Sequence, residues 1–390
     1  MLKGALSLPF LRLYGLTLLY FSANAILNVF IPLKGESLGA ANTTIGIIMG
    51  AYLFTTMLFR PWAGLLIQKY GPIPVLRAIL VMNGLALSTY TFTGLEGYFV
   101  ARMMQGVCTA FFSMALQLGL IDALPDKERS QGISMYSLCA AIPGIIGPLL
   151  ALGMWQTGET YVFTAAMITI ALLTCGVGFS AKMDRNASKP TGGSIKQGAA
   201  MLQSFGQLVK NPYLFKCSML MLIASLVFGS VTTFIPLYAA QIQNGNAAIY
   251  LMLQAGIVVA ARFVLRKKIP SDGKWHSAFV TTIMLLLAIA AQSVSFSITG
   301  GVVFFYAGAV LMGVAQALLY PTLTTYLTFV LPQESRNVLV GLFIAMADLG
   351  VSLGGVIMGP VADLYSYSFM YTLCAILSAL MLFFAYERRQ

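Results

Sequence analysis

Residues 9–33 read PFLRLYGLTLLYFSANAILNVFIPL, a run that contains one charged side chain, Arg12. A helix needs roughly 20 residues to cross the ~30 Å hydrocarbon layer of a bilayer, and this run is long enough. It is too long for the core of a signal peptide and has no small-residue cleavage site, so we expect a retained helix. The run predicts a membrane-spanning helix.

The composition extends this prediction to the whole chain. Of the 390 residues, 58% are hydrophobic and only 9% are charged, whereas a soluble domain carries roughly 25% charged residues. So few charges cannot cover a surface that faces water. The apolar runs are continuous and longer than 20 residues, which favours helices over the ~10-residue alternating strands of a barrel. We therefore predict an all-α membrane protein.

Glycine, proline and charge clusters divide the apolar sequence into about twelve spans. The predicted spans cover residues 9–33, 43–69, 73–94, 98–122, 132–154, 159–180, 213–241, 246–268, 276–297, 301–329, 336–362 and 367–386.

Lys and Arg are distributed unevenly between alternate loops, and Lys34 is the only one on its side of the predicted membrane. Cytoplasmic loops carry the excess of positive charge. We therefore expect both termini to be cytoplasmic, in a multi-pass protein of the plasma membrane. The net charge of +11 then reflects topology and not nucleic-acid binding. We expect lipid to surround a monomer.

Short motifs recur in the same order in both parts of the chain. The paired motifs are Phe30–Leu33 with Phe234–Leu237, Pro9 with Pro212, Arg60 with Arg262, Leu124-Pro125 with Leu331-Pro332, and Gly147-Pro148 with Gly359-Pro360. They predict two six-helix bundles, residues 1–180 and 212–390, joined by a cytoplasmic linker, 181–211. Repeats of this kind are typical of transporters that work by alternating access.

The connection after the second span carries Gly64, Gln68 and Gly71 and reaches Arg77. It resembles the Gly-x-x-x-Asp-x-x-Gly-Arg signature of the major facilitator superfamily, which implies the fold of that superfamily and a gate on the cytoplasmic side. Gln68 replaces the usual Asp, so the charge relay of the signature is altered. Asp122 with Arg77 and Arg60 would be its remaining partners, and ordinary turn chemistry is the alternative.

The fourth span carries Arg102, Gln105 and Gly106, which resemble the Arg-x-x-Gln-Gly motif of the same superfamily. Arg102, Gly106, Thr109, Ser113 and Gln117 share one helix face. An intramembrane arginine is costly, which favours a functional role. A salt bridge with Glu96 is the alternative.

The pair Gly147-Pro148 belongs to a broken form of an antiporter motif of the superfamily, in which Pro143 occupies the first glycine position. Gly359-Pro360 keeps the spacing from Gly355. Small residues also let helices pack closely. A role of both pairs in gating is what the resemblance implies, and packing alone is the alternative.

Asp348 lies near the middle of the eleventh span. An ionised carboxylate at that depth costs at least ~2.5–3.5 kcal/mol, so it has to be paired, hydrated or protonated. Proton coupling, substrate contact and a structural ion pair all fit. The other polar candidates for a wet pathway are Asn24, Asn28, Tyr238, Gln254, Gln316 and Tyr320.

Catalytic and metal-binding signals are weak. The five cysteines contain no Cys-x-x-Cys pair, and the one histidine, His276, lies at the start of a span. Gly350, Ser352 and Gly354 match a hydrolase pattern that needs a strand-to-helix elbow and a histidine base. We expect no enzyme activity, no cofactor and no metal site.

Longer stretches of the chain are similar to the staphylopine-type metallophore exporters. These stretches are residues 21–33, 94–110, 269–276 and 347–355. The resemblance implies export of an opine metallophore, a small amino-polycarboxylate. Arg102 could then hold a carboxylate and Asp348 an amine or a proton. We expect the metal-free cargo to leave in exchange for protons. A multidrug or sugar efflux antiporter is the alternative.

Overall fold

The structure is a computed structural model that describes residues 7–124, 126–181, 208, 210–265, 268–270, 272–333 and 335–386. The first six long helices are α1 Leu8–Ser37, α2 Asn42–Tyr70, α3 Pro72–Phe92, α4 Leu95–Ala123, α5 Asp126–Gln156 and α6 Thr160–Ser180. The next six are α7 Pro212–Tyr238, α8 Ala247–Val264, α9 Ser277–Gly300, α10 Val302–Val330, α11 Arg336–Leu364 and α12 Tyr367–Ala385.

All twelve helices in the described part of the chain are long and apolar enough to cross a membrane. The predicted fold class is therefore confirmed, and most predicted ends agree within four residues. The clearest difference is α5, which begins at Asp126 and not at residue 132. Its apolar portion begins only at Gln131. Hydropathy marks the membrane boundary, whereas the polar first turns of α5 continue the helix beyond it.

The chain divides into two compact units. One contains Met1–Leu27 and Phe54–Leu202, and the other contains Asn28–Leu53 and Gln203–Gln390. The end of α1 and the start of α2 thus belong to the same unit as the later helices. Most of the linker 181–211 lies outside the described residues, so the division at that segment stays a prediction.

Each unit has its own packed helices. In the first, α3 packs against α4 and α6, and in the second, α9 packs against α10 and α12. This is the same arrangement at corresponding positions of the two predicted repeats. In the first unit, Tyr20 stacks on Phe112 with the ring centroids 3.8 Å apart.

Helix α11 packs along α7 in the second unit, and glycines make this contact possible. A Cβ atom on Gly350 would lie 2.4 Å from the carbonyl oxygen of Leu222, and one on Gly354 would lie 2.3 Å from that of Leu226. Without a hydrophobic driving force between helices in lipid, such close packing is a main source of their association.

Candidate functional site

The side chain of Arg102 is fully buried on α4, at 0% exposure. Its Nη1 donates a hydrogen bond of 2.7 Å to Oδ1 of Asn24 on α1. Charge-assisted bonds of this kind are about twice as strong as neutral ones. The arginine that was predicted from the sequence therefore lies inside the first unit, next to one of the two predicted asparagines.

Other groups on α4 are bonded to three neighbouring helices. Gln105 Oε1 accepts a bond of 2.6 Å from the hydroxyl of Tyr90 on α3. Thr109 and Tyr20 of α1 share a bond of 3.0 Å, and Thr56 of α2 donates to the carbonyl of Gly106 over 3.0 Å. This part of the predicted polar face is turned towards protein, which fixes the position of α4.

Two other residues that we predicted for the transport pathway, one on α4 and one on α1, have different surroundings. Gln117 lies at the end of the apolar part of α4, and its side chain is exposed. Asn28, one helical turn beyond Asn24, is half-buried and belongs to the second compact unit. A role for either in the transport pathway stays a prediction.

In the second unit, a pair of amides links α8 to α10. Gln254 Nε2 donates a bond of 3.0 Å to Oε1 of Gln316. Gly313 lets the two helices approach, since a Cβ atom there would lie 2.8 Å from the carbonyl oxygen of Gln254. Gln254 is only 7% exposed, and its Oε1 has no hydrogen-bond partner in the described part of the chain. One acceptor in this pair is available to another donor.

Tyr238 belongs to an aromatic cluster with Phe305, Tyr367 and Tyr371. It is fully buried, and its hydroxyl donates to the carbonyls of Val294 and Ser295, both 3.1 Å away. These bonds occupy the hydroxyl within the protein core. The geometry therefore favours a packing role, although its sequence position had suggested the pathway.

Asp348 and Tyr320 are both half-buried. Asp348 lies on α11 with Ala345 and Ser352, which are buried, one turn away on either side. The Tyr320 ring centroid lies 5.9 Å from that of Phe343 on α11. Both stay candidates for the pathway.

The signature that follows α2 is explained in part by turn chemistry. Gly71 has a φ of +87° immediately before Pro72 opens α3, a backbone conformation that favours glycine. Arg77 Nη2 donates to the carbonyl of Phe179 at the end of α6 over 3.1 Å. Arginine thus satisfies a helix C-terminus here, a contact that the sequence did not predict.

The remaining residues of the predicted gate are only partly described. The side chains of Gln68 and Asp122 lie outside the described set, so the expected contact between Asp122 and Arg77 stays a prediction. Arg60 is half-buried, Arg262 is exposed, and Gly64 faces open space.

The two Gly-Pro pairs lie at close helix contacts. A Cβ atom on Gly147 would lie 2.5 Å from that of Ala25 on α1, and one on Gly359 would lie 2.7 Å from the carbonyl oxygen of Asn42 on α2. Pro148 and Pro360 lie inside helices α5 and α11. These distances support the packing interpretation of both motifs.

The acidic residue that sequence reasoning missed is Asp363, near the end of α11. Its carboxylate accepts bonds from the backbone N–H groups of Asn42 and Thr43, each 2.8 Å long, and from the Thr43 hydroxyl over 2.6 Å. The partners are about 320 positions apart in the sequence, and no local pattern connects them.

The residues that gave weak catalytic or metal-binding signals in the sequence lie in helices and in a loop. Gly350–Gly354 lies within α11 and not at a strand-to-helix elbow. The five cysteines are free thiols. His276 bonds Asp272 over 2.8 Å in the loop before α9, and this bond, followed by the one from the Lys274 N–H, lowers the pKa of Asp272.

Twelve apolar helices with repeated packing and buried polar groups define a class of protein, the secondary membrane transporters. The model of the Major Facilitator Superfamily matches residues 13–303 and 269–390, and the chain belongs to this superfamily. This confirms the resemblance that the motifs of α2 and α4 indicated.

Two curated relatives show how far the similarity extends. The chain is 52% identical over 388 residues to the "Staphylopine export protein" of Staphylococcus aureus (strain Mu50), covering 100% of this chain and 98% of that protein. An uncharacterized MFS-type transporter of Pseudomonas aeruginosa (strain UCBPP-PA14) is 29% identical over 168 residues, 42% of this chain and 40% of that one. The first relative confirms the resemblance to metallophore exporters along the full chain.

Solved structures share the fold at low identity. A bacterial homolog of the human lysosomal transporter Spinster, inward-facing and unoccupied, has a TM-score of 0.74 and 14% identity, with coverage of 99% of this chain and 95% of that one. A structure from work on substrate recognition in proton dependent oligopeptide transporters has a TM-score of 0.76 and 12% identity, with coverage of 97% of both chains. These matches concern the fold alone.

Proposed function

We propose that this chain exports a staphylopine-like opine metallophore from the cytoplasm by alternating access. The observation that carries the proposal is the 52% identity to the staphylopine export protein over essentially the whole of both chains. Residues that determine a cargo are spread over many helices of such a fold. Similarity along the full length therefore supports a shared cargo more strongly than a short motif does.

The chemistry of the buried polar groups supports the same cargo. An amino-polycarboxylate needs a cation for a carboxylate and neutral groups for the rest of the molecule. Arg102, held by Asn24, has the planar donor geometry that matches a carboxylate. The Gln254–Gln316 pair offers an amide acceptor to an ammonium or hydroxyl group. An apolar drug offers few groups that could bond to the arginine or to the amide pair.

Charged residues support both the proposed orientation of the chain in the membrane and the proposed coupling to protons. The excess of Lys and Arg in alternate loops supports cytoplasmic termini in the plasma membrane. Asp348 is an acid within a membrane-spanning helix, where protonation relieves the cost of burying its charge. We propose that protons enter through this residue as the cargo leaves. The working unit is a monomer with no cofactor and no catalytic step.

The cargo is proposed to leave without its metal. Within the described residues, no three His, Cys, Asp or Glu side chains lie close enough together to hold a metal ion. Metal would therefore have to travel on the ligands of the metallophore alone. Those ligands include the carboxylates that Arg102 would bind.

The test is metabolite profiling of the medium around cells that lack their own exporter. Cells that carry the chain should release the metallophore, and cells that carry Arg102→Ala at equal membrane abundance should release far less. Collapse of the proton gradient should stop release. Export of drugs or sugars without the metallophore would overturn the proposed cargo, and equally fast export of the zinc-loaded form would overturn metal-free transport.

A further inference from the structure

The start of α2 lacks a local cap for its backbone N–H groups. The first N–H groups of a helix have no partner inside the helix, and a side chain just before it usually accepts from them. The residue before α2 is Ala41, which has no side-chain acceptor. The missing acceptor is supplied by Asp363 of α11, which bonds the N–H groups of both Asn42 and Thr43.

Two further side-chain bonds close the same contact. The Thr43 hydroxyl donates to Asp363 Oδ2 over 2.6 Å, and the hydroxyl of Tyr367, at the start of α12, donates to Oδ1 of Asn42 over 2.6 Å. Asp363 itself is exposed. Water can therefore replace these bonds when the helices separate, at a modest energetic cost.

Below this contact, α2 and α11 cross with their backbones touching. A Cβ atom on Gly46 would lie 2.1 Å from the carbonyl oxygen of Gly355, and one on Gly50 would lie 2.7 Å from that of Ser352. Both helix segments belong to the same compact unit. Ser352, at 3% exposure, marks the inner end of this crossing, and Asp348 lies one turn further along α11.

The inference rests on the proposed function: if the chain works by alternating access, the contact between α2 and α11 is part of a gate. The proposed topology places the α1–α2 and α11–α12 connections outside the cell. The crossing of α2 and α11 must then open each time cargo leaves. We propose that Asp363 is the latch of this extracellular gate. It caps α2 only while the gate is closed, so its bonds stabilise the closed state selectively.

A cap from a distant helix differs from a local cap in this respect. A residue next to α2 would stabilise the helix in every state of the cycle and would not shift the balance between states. Only an interaction that differs between two states can change their populations. The Asp363 bonds exist in one state and are replaced by water in the other, which is the property that a latch requires.

The test measures how fast a cysteine behind the gate reacts from outside the cell. Ser352→Cys is introduced, and intact cells are treated with a membrane-impermeant thiol reagent. The chain without this change gives the background from its five native cysteines. With Asp363→Ala added, we expect labelling to be about tenfold faster. This corresponds to a closed state that is less stable, relative to the open state, by ~1.4 kcal/mol. An unchanged labelling rate would overturn the latch.

Matched variants separate the latch from general loosening. Glu159 is another acid on the proposed extracellular side. It lies directly before α6 but its side chain makes no capping bond, so Glu159→Ala should leave labelling unchanged. Thr43→Val removes one bond to Asp363, whereas Thr43→Ser keeps it. Only the valine variant should speed labelling, by a few-fold, and this pair decides the question even if Asp363→Ala fails to reach the membrane.

Labelling needs no cargo, so the latch and the proposed function fail separately. Faster labelling with Asp363→Ala, together with no metallophore release by cells that carry the unaltered chain, would overturn the cargo and support the latch. Normal metallophore release with an unchanged labelling rate would overturn the latch and support the cargo. Equal acceleration by Glu159→Ala would also overturn the latch, because the effect would then be one of surface charge.

Discussion

The buried polar pair of the first unit differs in charge from that of the second. On α4, the pair consists of a guanidinium and an amide, Arg102 and Asn24. Between α8 and α10, it consists of two amides, Gln254 and Gln316. The two halves share one set of packed helices, α3 with α4 and α6, and α9 with α10 and α12, but not the same polar chemistry. Packing needs only small and apolar residues in register, so it does not require the two halves to carry the same polar groups.

The largest expected effect is for a substitution of Asp348, an acid that has no counterpart in the first half of the chain. Asp348→Asn keeps the shape of the side chain but removes the proton that it would carry. Export driven by a proton gradient in vesicles should fall to the level of vesicles without the chain. Membrane insertion, measured by abundance, should stay normal. Gradient-driven export at the original rate would remove Asp348 from the coupling mechanism.

The next largest effect is expected for Arg102, the charged residue in the polar pair of the first unit. Arg102→Ala should reduce metallophore export roughly 30- to 1,000-fold, because truncation of one partner of a buried charged contact costs about 2–4 kcal/mol. Arg102→Lys should recover only part of the rate, since lysine lacks the planar fork. Competition uptake into inverted vesicles can compare the metallophore with a neutral ester of it. Equal losses for both would indicate a structural role.

A smaller effect is expected for the neutral pair. Gln316→Leu should slow export by about fivefold, because one neutral hydrogen bond contributes roughly 1 kcal/mol. It also leaves Gln254 buried without its partner, which should lower the thermal stability of the purified protein. Adding Gln254→Leu should restore stability, because both polar groups are then gone, while export stays slow. Recovery of export in the double variant would assign the pair to packing.

The smallest effect should come from a polar contact on α4 that we assign to packing. Tyr20→Phe removes the 3.0 Å bond to Thr109 and keeps the stacked ring on Phe112. Stability should fall by about 1 kcal/mol, measured as a shift of the unfolding midpoint in detergent. Metallophore export per folded molecule should be unchanged. A large export defect would extend the functional surface of α4 to this bond.

Helices could be predicted from the sequence because each span has to satisfy its own backbone inside lipid. That requirement is local, and it explains why the predicted edges of α2 and α11 lie within two residues of the observed ones. Arg102 could be predicted as a buried, bonded residue for the same reason, since its charge cannot face lipid. Its partner Asn24 could be suggested as a polar residue of α1 but not paired with it.

The contacts that could not be predicted join residues far apart in the chain. The hydroxyl of Tyr238 donates to two carbonyls of α9, while its predicted place in the pathway stays a prediction. Arg77 donates to a carbonyl at the end of α6, a contact that was not predicted, while its expected contact with Asp122 stays a prediction. In both cases the partner is a backbone carbonyl. Every residue carries one, so the sequence contains no signal for it.

The sequence by itself determined that this chain crosses a membrane twelve times, with repeated halves and a few costly polar side chains inside. Those properties follow from the cost of exposing charge and unpaired backbone to hydrocarbon, which can be evaluated residue by residue. Only the tertiary structure decided that Asp363 caps α2 and that Gly46 touches Gly355. Such contacts depend on how close two helices come, and helix separation is set by all the side chains between them together.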